Sequence, residues 1–173
     1  MHRIVRRTLV GCGLALLCCG VAACSGSKAK NWMFTDSQGT VRNLTDYKGN
    51  VLVIGFSNTW CDPCQEAGLQ MQALQERFSS QGVKVLSVSS WEHGDPRQWM
   101  TEHGYNYGLM LNGTEIARQY NVDRIPTFLV IGVDGKVVYR HEGFEKSAAD
   151  KIAAVIDKHL RKYGGDSYAK HEG

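Results

Sequence analysis

The strongest constraint on the fold is an uninterrupted apolar run at residues 51–56, whose sequence is VLVIGF. A strand with one solvated face alternates apolar and polar residues, whereas a continuous β-branched run is typical of a central strand covered on both faces. Residues 83–88 and 127–133 predict further strands, and an Asp134-Gly135 turn joins the second of these to residues 136–140 in a hairpin. The chain therefore needs helices on both faces of a sheet.

Helical periodicity supplies these covering layers. A helix from residue 64 to about residue 80 is predicted by apolar residues at helical spacing: Ala67, Met71, Leu74 and Phe78. Further helices are predicted at residues 95–103, 114–120 and 147–163. The order of elements predicts an α/β fold in one domain, residues 32–163, with a central mixed β-sheet flanked by helices on both faces. The turn Asp36-Ser37-Gln38-Gly39 predicts an N-terminal β-hairpin extension, and residues 164–173 predict a flexible tail.

Residues 1–23 have the pattern of an export signal, with basic residues, then an apolar run, then small residues. The apolar run is shorter than the roughly 20 residues that a membrane-spanning helix needs. The end of the signal, Val21-Ala22-Ala23-Cys24, resembles the bacterial lipobox, in which the cysteine is lipidated and becomes the first residue. Residues 24–31 then form a lipidated tether. Ordinary cleavage after Ala23, which would leave Cys24 as a free thiol, is the alternative.

The position of the positive charge bears on both location and partners. The formal net charge is +3, and Arg3, Arg6 and Arg7 in the signal account for it, so the exported domain is neutral. A reader of nucleic acid needs a basic stripe, and none remains. Ser25 follows the lipobox cysteine in place of the aspartate associated with inner-membrane retention. An extracytoplasmic site, anchored to an outer membrane that faces the periplasm, is therefore favoured.

The cysteines divide into two groups. Of the six in the chain, Cys12, Cys18 and Cys19 leave with the signal, and Cys24 carries lipid. Only Cys61 and Cys64 remain in a domain whose core is large enough to need no disulfide staple. We therefore expect this close pair to be reactive.

A Cys-x-x-Cys sequence between a buried strand and the start of a helix has a specific chemical logic. The thiolate is the nucleophile in disulfide exchange, and the unpaired N–H groups at a helix N-terminus stabilise it. We expect Cys61 to be the exposed nucleophile just before the first turn, and Cys64 to be the more buried resolving cysteine. Pro63 suits the first helical position, where an N–H has no partner. Asp62 places a negative charge beside the pair and opposes thiolate formation.

Other interpretations of the pair remain open. Zinc usually takes four ligands, and the other candidate ligands are scattered histidines: His93, His103, His141, His159 and His171. Two thiolates also suit Cu(I), as in a copper-binding chaperone. A purely structural disulfide is the simplest alternative. We assign no metal site and no cofactor.

A family resemblance rests on two segments. Trp60-Cys61-Asp62-Pro63-Cys64 at a strand-to-helix junction, together with Ile125-Pro126-Thr127 at the start of a later strand, resembles thioredoxin. The upstream segment, residues 36–53, is similar to the extracytoplasmic TlpA/ResA group of thioredoxin-like thiol–disulfide oxidoreductases. The resemblance covers residues 32–163, almost the whole exported domain.

The resemblance implies a thioredoxin-like fold and a redox disulfide between Cys61 and Cys64. It also implies a cis peptide bond at Ile125–Pro126 beside the cysteines, where backbone groups are offered to a bound peptide. Trp60, Pro63, Ile125 and Pro126 would then form the substrate-binding surface. A core role for Trp60 and a plain strand-start role for Pro126 are the alternatives.

The sequence departs from its relatives around the resolving cysteine. Thioredoxin keeps a buried acid six residues before the first cysteine, where this chain has Gly55. Members that act in cytochrome maturation often carry Cys-x-x-Cys-x-x-Glu-x-Pro, whereas this chain has Ala67 and Leu69 in those places. Glu66 lies on another helical face. No proton acceptor is therefore assigned to Cys64.

The leading hypothesis is a monomeric, membrane-tethered reductase of disulfides in exported proteins. It would be re-reduced by a membrane electron donor, and cytochrome c maturation is one candidate process. The same steps can run as an oxidase, because direction depends on the redox potential. The alternatives are a copper-binding chaperone and a thiol peroxidase. The peroxidase is disfavoured because Asn58 and Ile54 replace the Thr or Ser and the Pro of such sites.

Overall fold

The computed structural model of the chain describes residues 26–167. The predicted signal, residues 1–23, the lipidation site Cys24 and the last six residues of the predicted tail, 168–173, lie outside the described residues.

The described residues form one seven-stranded sheet with the strand order β2-β1-β5-β4-β3-β6-β7. The strands are β1 (Met33–Asp36), β2 (Val41–Asn43), β3 (Leu52–Ser57), β4 (Lys84–Ser89), β5 (Gly108–Leu111), β6 (Thr127–Ile131) and β7 (Val137–Glu142). Strands β3, β4 and β5 are parallel, while β1, β6 and β7 pair antiparallel with their neighbours. The antiparallel pair β1–β2 continues the sheet at one edge. The predicted mixed sheet is confirmed.

Four α-helices and two 3₁₀ turns complete the described part of the chain. The helices are α1 (Asp62–Phe78), α2 (Pro96–Glu102), α3 (Thr114–Gln119) and α4 (Ala148–Ser167), and the 3₁₀ turns are Leu44–Tyr47 and Ser79–Gln81. Helix α4 continues to Ser167, although its predicted end is residue 163. The prediction placed Gly164 and Gly165 in a tail, but a glycine costs a helix only about 1 kcal/mol relative to alanine. A helix already formed can include them.

The central strand explains why both faces of the sheet are covered. Val53 of β3 packs in the core formed with α1 and α4, whereas Leu52, Ile54 and Phe56 pack in the core on the α3 side. All four side chains are fully buried. Since successive side chains of a strand point to opposite faces, Gly55 lies on the same face as Val53, next to α1. Helices on both faces are thus confirmed.

The strand direction separates two ends of the molecule. Strand β3 rises about 3.3 Å per residue, so Leu52 and Ser57 lie about 17 Å apart. The cysteine pair follows the carboxyl end, and the 3₁₀ turn Leu44–Tyr47 precedes the amino end. Within residues 26–167, no helix combines the length and apolar character needed to cross a membrane.

Candidate active site

The cysteine pair lies at the N-terminus of α1. Cys61 is the N-cap residue, and its carbonyl oxygen accepts hydrogen bonds from the N–H groups of Cys64, at 2.9 Å, and Gln65, at 3.3 Å. The sulfur atoms of Cys61 and Cys64 are bonded, with their Cα atoms 5.2 Å apart. The helix begins at Asp62, two residues before the predicted start, so Pro63 is its second residue and not its first. Its missing N–H still costs the helix nothing, because the first four N–H groups have no intrahelical partner.

The two cysteines differ in exposure, although less than expected. Cys61 is 9% exposed and Cys64 is 2% exposed. The expected order holds, but the expectation of an openly exposed Cys61 is wrong. Its sulfur is bonded to Cys64, a buried residue, and is held in the first helical turn. A thiolate formed at Cys61 would lie at the positive end of the α1 dipole, where a negative charge is stabilised.

The loop that contains Ile125 and Pro126 lies beside the cysteine pair. The Ile125–Pro126 peptide bond is cis, as the family resemblance implied. Pro126 is buried and lines the same narrow space as Cys64. Its carbonyl oxygen accepts a hydrogen bond of 2.7 Å from the N–H of Gly143, and the Thr127 hydroxyl donates one of 2.6 Å to the Arg124 carbonyl. The backbone of Ile125 has no hydrogen-bond partner among residues 26–167, so it is free to pair with an extended peptide.

A groove of about 350 Å³ separates Trp60 from this loop. It is lined by Asn58, Trp60, Trp91, Val122, Asp123 and Ile125. Trp60 is 56% exposed, so the alternative of a core tryptophan is wrong. Its indole N–H donates to the Trp91 carbonyl at 3.1 Å, and its ring stacks on His93 with centroids 5.8 Å apart. The groove thus joins the predicted residues Trp60 and Ile125. Pro63 is exposed on the first turn of α1.

Glu92 organises this edge of the site, and sequence reasoning missed it. Its carboxylate accepts hydrogen bonds from the Thr59 hydroxyl at 2.6 Å, the Thr59 N–H at 3.0 Å and the Ser89 hydroxyl at 3.1 Å. Burial alone would raise the pKa of Glu92, but hydrogen bonds from Thr59, Gly94 and Ser89 outweigh it and lower that pKa. Glu92 therefore ties the segment before Cys61 to the loop after β4. No sequence pattern signals this role.

The space beneath Cys64 is apolar and too small for a water molecule. Its lining includes Gly55, Ala67, Met71, Pro126 and Phe128. A Cβ atom on Gly55 would lie 2.5 Å from the Met71 sulfur, so Met71 fills the place where thioredoxin keeps its acid. Of the other two departures, Ala67 is 2% exposed and Leu69 is 59% exposed. None of the residues lining this space has a carboxylate.

Two hydroxyls, those of Ser57 and Tyr107, line this space. Burial raises the pKa of Tyr107 far above its usual value, so its hydroxyl stays neutral. The Ser57 hydroxyl lies 3.0 Å from that of Ser87 on the neighbouring strand. In the described part of the chain, no cluster of three or more His, Cys, Asp or Glu residues could hold a metal ion. The arrangement is suited to thiol exchange at Cys61. The resolving thiol, Cys64, lies in an apolar space that is too small to hold water.

Comparison with known proteins gives the same picture. Residues 25–140 match the model of the AhpC/TSA family. The thiol-disulfide oxidoreductase ResA of Bacillus subtilis (strain 168) is 32% identical over 115 residues, which cover 65% of this chain and 64% of that protein. The match thus spans slightly less than two thirds of that relative's length. ResA of Bacillus anthracis is 30% identical over 139 residues, covering 79% of this chain and 77% of the relative.

A solved structure shows the fold. The crystal structure of a thiol:disulfide interchange protein of the thioredoxin family, from Chlorobium tepidum TLS, superposes with a TM-score of 0.69 at 22% identity. The match covers 78% of this chain and 97% of that one. The predicted thioredoxin-like fold is therefore confirmed.

Proposed function

Because the chain belongs to the AhpC/TSA family, within which it is a ResA-type thioredoxin-like thiol–disulfide oxidoreductase, we propose that it reduces disulfide bonds in exported proteins. The observation that carries this proposal is the Cys61–Cys64 pair at the N-terminus of α1, with the cis Ile125–Pro126 bond beside it. In this proposal, the groups that would stabilise the Cys61 thiolate lie beside the groups that would bind a peptide.

The proposed cycle is a two-electron exchange. The Cys61 thiolate attacks one sulfur of a substrate disulfide, and the other substrate sulfur leaves as a thiolate that takes up a proton. The Cys64 thiolate then attacks the Cys61 sulfur, which forms the Cys61–Cys64 disulfide and releases the second substrate thiol. The substrate is reduced and the dithiol is oxidised. A dithiol electron donor at the membrane restores the pair by the same exchange.

The substrate binds, in this proposal, along the groove between Trp60 and Ile125. The free backbone of Ile125 pairs with an extended segment next to the substrate disulfide. The exposed face of Trp60 packs on an apolar side chain of that segment. Such recognition is general and not sequence-specific, and it suits several misoxidised proteins, including the apocytochromes c that need reduced cysteines.

The location belongs to the same proposal. The signal at residues 1–23 and the lipobox cysteine Cys24 support export and tethering by lipid, and Ser25 favours an outer membrane facing the periplasm. We propose that the tethered protein is a monomer. Of the predicted tether, residues 24–31, the segment 27–30 is hydrogen-bonded to the domain through the Ser27 and Lys30 carbonyls and the Ala29 N–H. A lipid on Cys24 would therefore hold the domain close to the membrane. Mass spectrometry of the protein purified from membranes tests the lipid on Cys24.

Substitution of the resolving cysteine tests the exchange chemistry. Cys64→Ser leaves Cys61 able to attack and unable to release, so stable mixed disulfides on Cys61 are expected with oxidised envelope proteins. The matched control, Cys61→Ser, should trap none. Recovery of no mixed disulfide, with tight Cu(I) binding by the native pair and no reduction of insulin disulfides, would favour the copper chaperone. Consumption of peroxide without insulin reduction would favour the thiol peroxidase.

A further inference from the structure

A row of hydroxyl groups leads away from the resolving cysteine. Ser57 ends β3 and lines the apolar space together with Cys64. The Ser57 hydroxyl lies 3.0 Å from the hydroxyl of Ser87 on the neighbouring strand β4. Two residues further along β4, the Ser89 hydroxyl donates a hydrogen bond of 3.1 Å to the Glu92 carboxylate. Because Ser87 and Ser89 are both buried, each hydroxyl needs a hydrogen-bond partner inside the protein.

A small polar space completes this row. It measures about 10 Å³, the size of one water molecule, and Ser87, Ser89 and Glu92 are among the residues that line it. The Cα atoms of the two serines lie about 6–7 Å apart along the strand, so their hydroxyls are too far apart for a direct hydrogen bond and suit one bridging water. Asn58 also lines the space, and its buried side-chain oxygen has no hydrogen-bond partner in the described part of the chain. The space therefore offers a water molecule the polar partners that it needs.

Glu92 connects this row to the surface, because it is half-buried and the two residues that follow it are exposed. Burial would raise the pKa of Glu92, but the hydrogen bonds that it accepts lower that pKa, so the carboxylate is ionised at neutral pH. The residues that line the two spaces come from β3 to β6, from α1 and α2, and from the loops between them. Among these residues, the titratable groups are Cys64, Tyr107 and Glu92. The loop of Glu92 adds His93 and Asp95, which are both exposed.

We propose that these three hydroxyls, with one water between the two on β4, carry the Cys64 proton to Glu92. The inference rests on the thiol exchange of the proposed function, and it adds the route by which the buried proton leaves. The path replaces the buried acid of thioredoxin, whose place is Gly55 in this chain. Glu92 acts through the hydroxyls and does not touch the cysteines.

The proton moves while Cys64 attacks the Cys61 sulfur of the mixed disulfide. The bond between the two cysteine sulfurs forms, the bond between Cys61 and the substrate sulfur breaks, and that sulfur leaves as a thiolate. The Cys64 sulfur is oxidised and the substrate sulfur is reduced. Each hydroxyl accepts one proton and donates its own to the next group, beginning at Ser57. Glu92 accepts the last proton and releases it to solvent, from which the substrate thiolate takes up a proton.

Dithiodipyridine, a small chromogenic disulfide, separates attack from resolution in the reduced protein. Attack by Cys61 releases one thiopyridone, and resolution by Cys64 releases a second one at a rate that does not depend on the reagent concentration. Stopped-flow absorbance therefore measures both steps without an exported substrate protein. A chain from residue 25 onward is suitable, because both cores draw on residues from Ala29 onward and Cys61 and Cys64 are its only cysteines.

We expect Ser57→Ala to slow resolution about 10-fold at neutral pH, because it breaks the path at its first hydroxyl, and to change attack by Cys61 less than about twofold. Above about pH 10 the difference should narrow, since hydroxide then takes the Cys64 proton directly. Glu92→Gln should also slow resolution. If Glu92 acted only as a negative charge, it would disfavour the Cys64 thiolate, and its neutralisation would speed resolution instead.

Two further serine variants separate the path from packing. Ser57→Thr keeps the hydroxyl, so resolution should stay within about threefold of the native rate. The matched control, Ser90→Ala, removes another buried hydroxyl, which donates to the Val88 carbonyl at 3.2 Å, and should change resolution less than about twofold.

Several results would overturn the path. These are an unchanged rate in Ser57→Ala, equal slowing at every pH, equal slowing in Ser57→Thr, or faster resolution in Glu92→Gln. Slowing by Tyr107→Phe and not by Ser57→Ala would assign the route to the other hydroxyl that lines the space beneath Cys64. A native protein that shows attack but no second phase would contradict the proposed exchange itself, so the two failures are distinguishable.

Discussion

Gly55 and Met71 together decide what surrounds the resolving cysteine. The Met71 sulfur occupies the position that a side chain at residue 55 would need, and the neighbours are apolar. A thiol in such surroundings ionises less readily, because burial in a low dielectric disfavours the charged form. Release of substrate from Cys61 therefore depends on how the Cys64 proton leaves, without a carboxylate among the residues that line this space.

We predict that Gly55→Asp destabilises the protein, although it restores the acid of thioredoxin. The new side chain meets the Met71 sulfur, which costs about 1–3 kcal/mol through overpacking, and its carboxylate is buried without a partner. Met71→Ala in the same chain should recover part of the loss. Urea unfolding of the single and double variants measures this. An unchanged midpoint for Gly55→Asp would show that Met71 does not fill that place.

Trp60 is predicted to act in substrate binding and not in stability. Trp60→Ala removes an exposed ring beside the groove, so kcat/KM for insulin reduction should fall about tenfold, mainly through KM, by loss of about 1.4 kcal/mol of contact. The unfolding midpoint should hardly change. Met33→Ala is the matched control, since Met33 is 70% exposed on the edge strand β1. Equal effects of the two substitutions would refute a binding role.

At the scale of elements, Glu92 joins the segment that ends β3 to the loop that follows β4. It does so through Thr59 and Ser89, whose partnership requires the parallel pairing of β3 with β4. The sequence does not reveal this link, because Thr59 and Glu92 are 33 positions apart and Glu92 belongs to no recognisable pattern. The sequence likewise does not reveal the contact between Met71 on α1 and Gly55 on β3.

Glu92 is predicted to make stability depend on pH in the acid range. Its folded pKa is lowered, so its contribution is present above the ordinary carboxyl pKa and is lost as pH falls through the folded value. Glu92→Gln should cost about 1 kcal/mol at pH 7, because several hydrogen bonds lose their charged acceptor. The variant should also lose less stability than the native protein between pH 6 and pH 3.

Thermal unfolding across that pH range measures the effect. Glu115→Gln provides the control, because Glu115 is exposed on α3 and its ion pair with Arg118 is long, at 3.5 Å. The same pH dependence in the native protein and in Glu92→Gln would exclude Glu92 as its source.

Much of the element order could be predicted because each step has a local cause. The apolar run at β3, the Asp134-Gly135 turn and the periodic face of α1 each specify structure within a few residues. Helix ends were less predictable. Helix α1 starts at Asp62, because the Cys61 carbonyl accepts the first helical hydrogen bonds and no side-chain cap is needed. Helix α4 continues through Gly164 and Gly165. Contacts between residues that are distant in the sequence, such as the hydrogen bond from Trp60 to Trp91 at the groove, could not be predicted from the sequence.

At the scale of the whole molecule, the candidate active site lies at one end of the central sheet. The dithiol, the cis Ile125–Pro126 bond and the Trp60 groove lie at the carboxyl end of β3, and a cleft with an apolar floor lies at its amino end. The direction of electron flow depends on the balance between the helix N-terminus, which stabilises the Cys61 thiolate, and Asp62, which opposes it.

The redox potential of the Cys61–Cys64 pair tests the proposed reductase most directly. Equilibration of the full exported chain with glutathione or dithiothreitol buffers, followed by thiol alkylation, gives the fraction reduced at each potential. Because Asp62 disfavours the reduced thiolate, we predict a potential nearer to that of thioredoxin, about −270 mV, than to that of DsbA, about −120 mV. A value near −120 mV would mean that the pair accepts electrons from exported proteins, and would contradict the reductase.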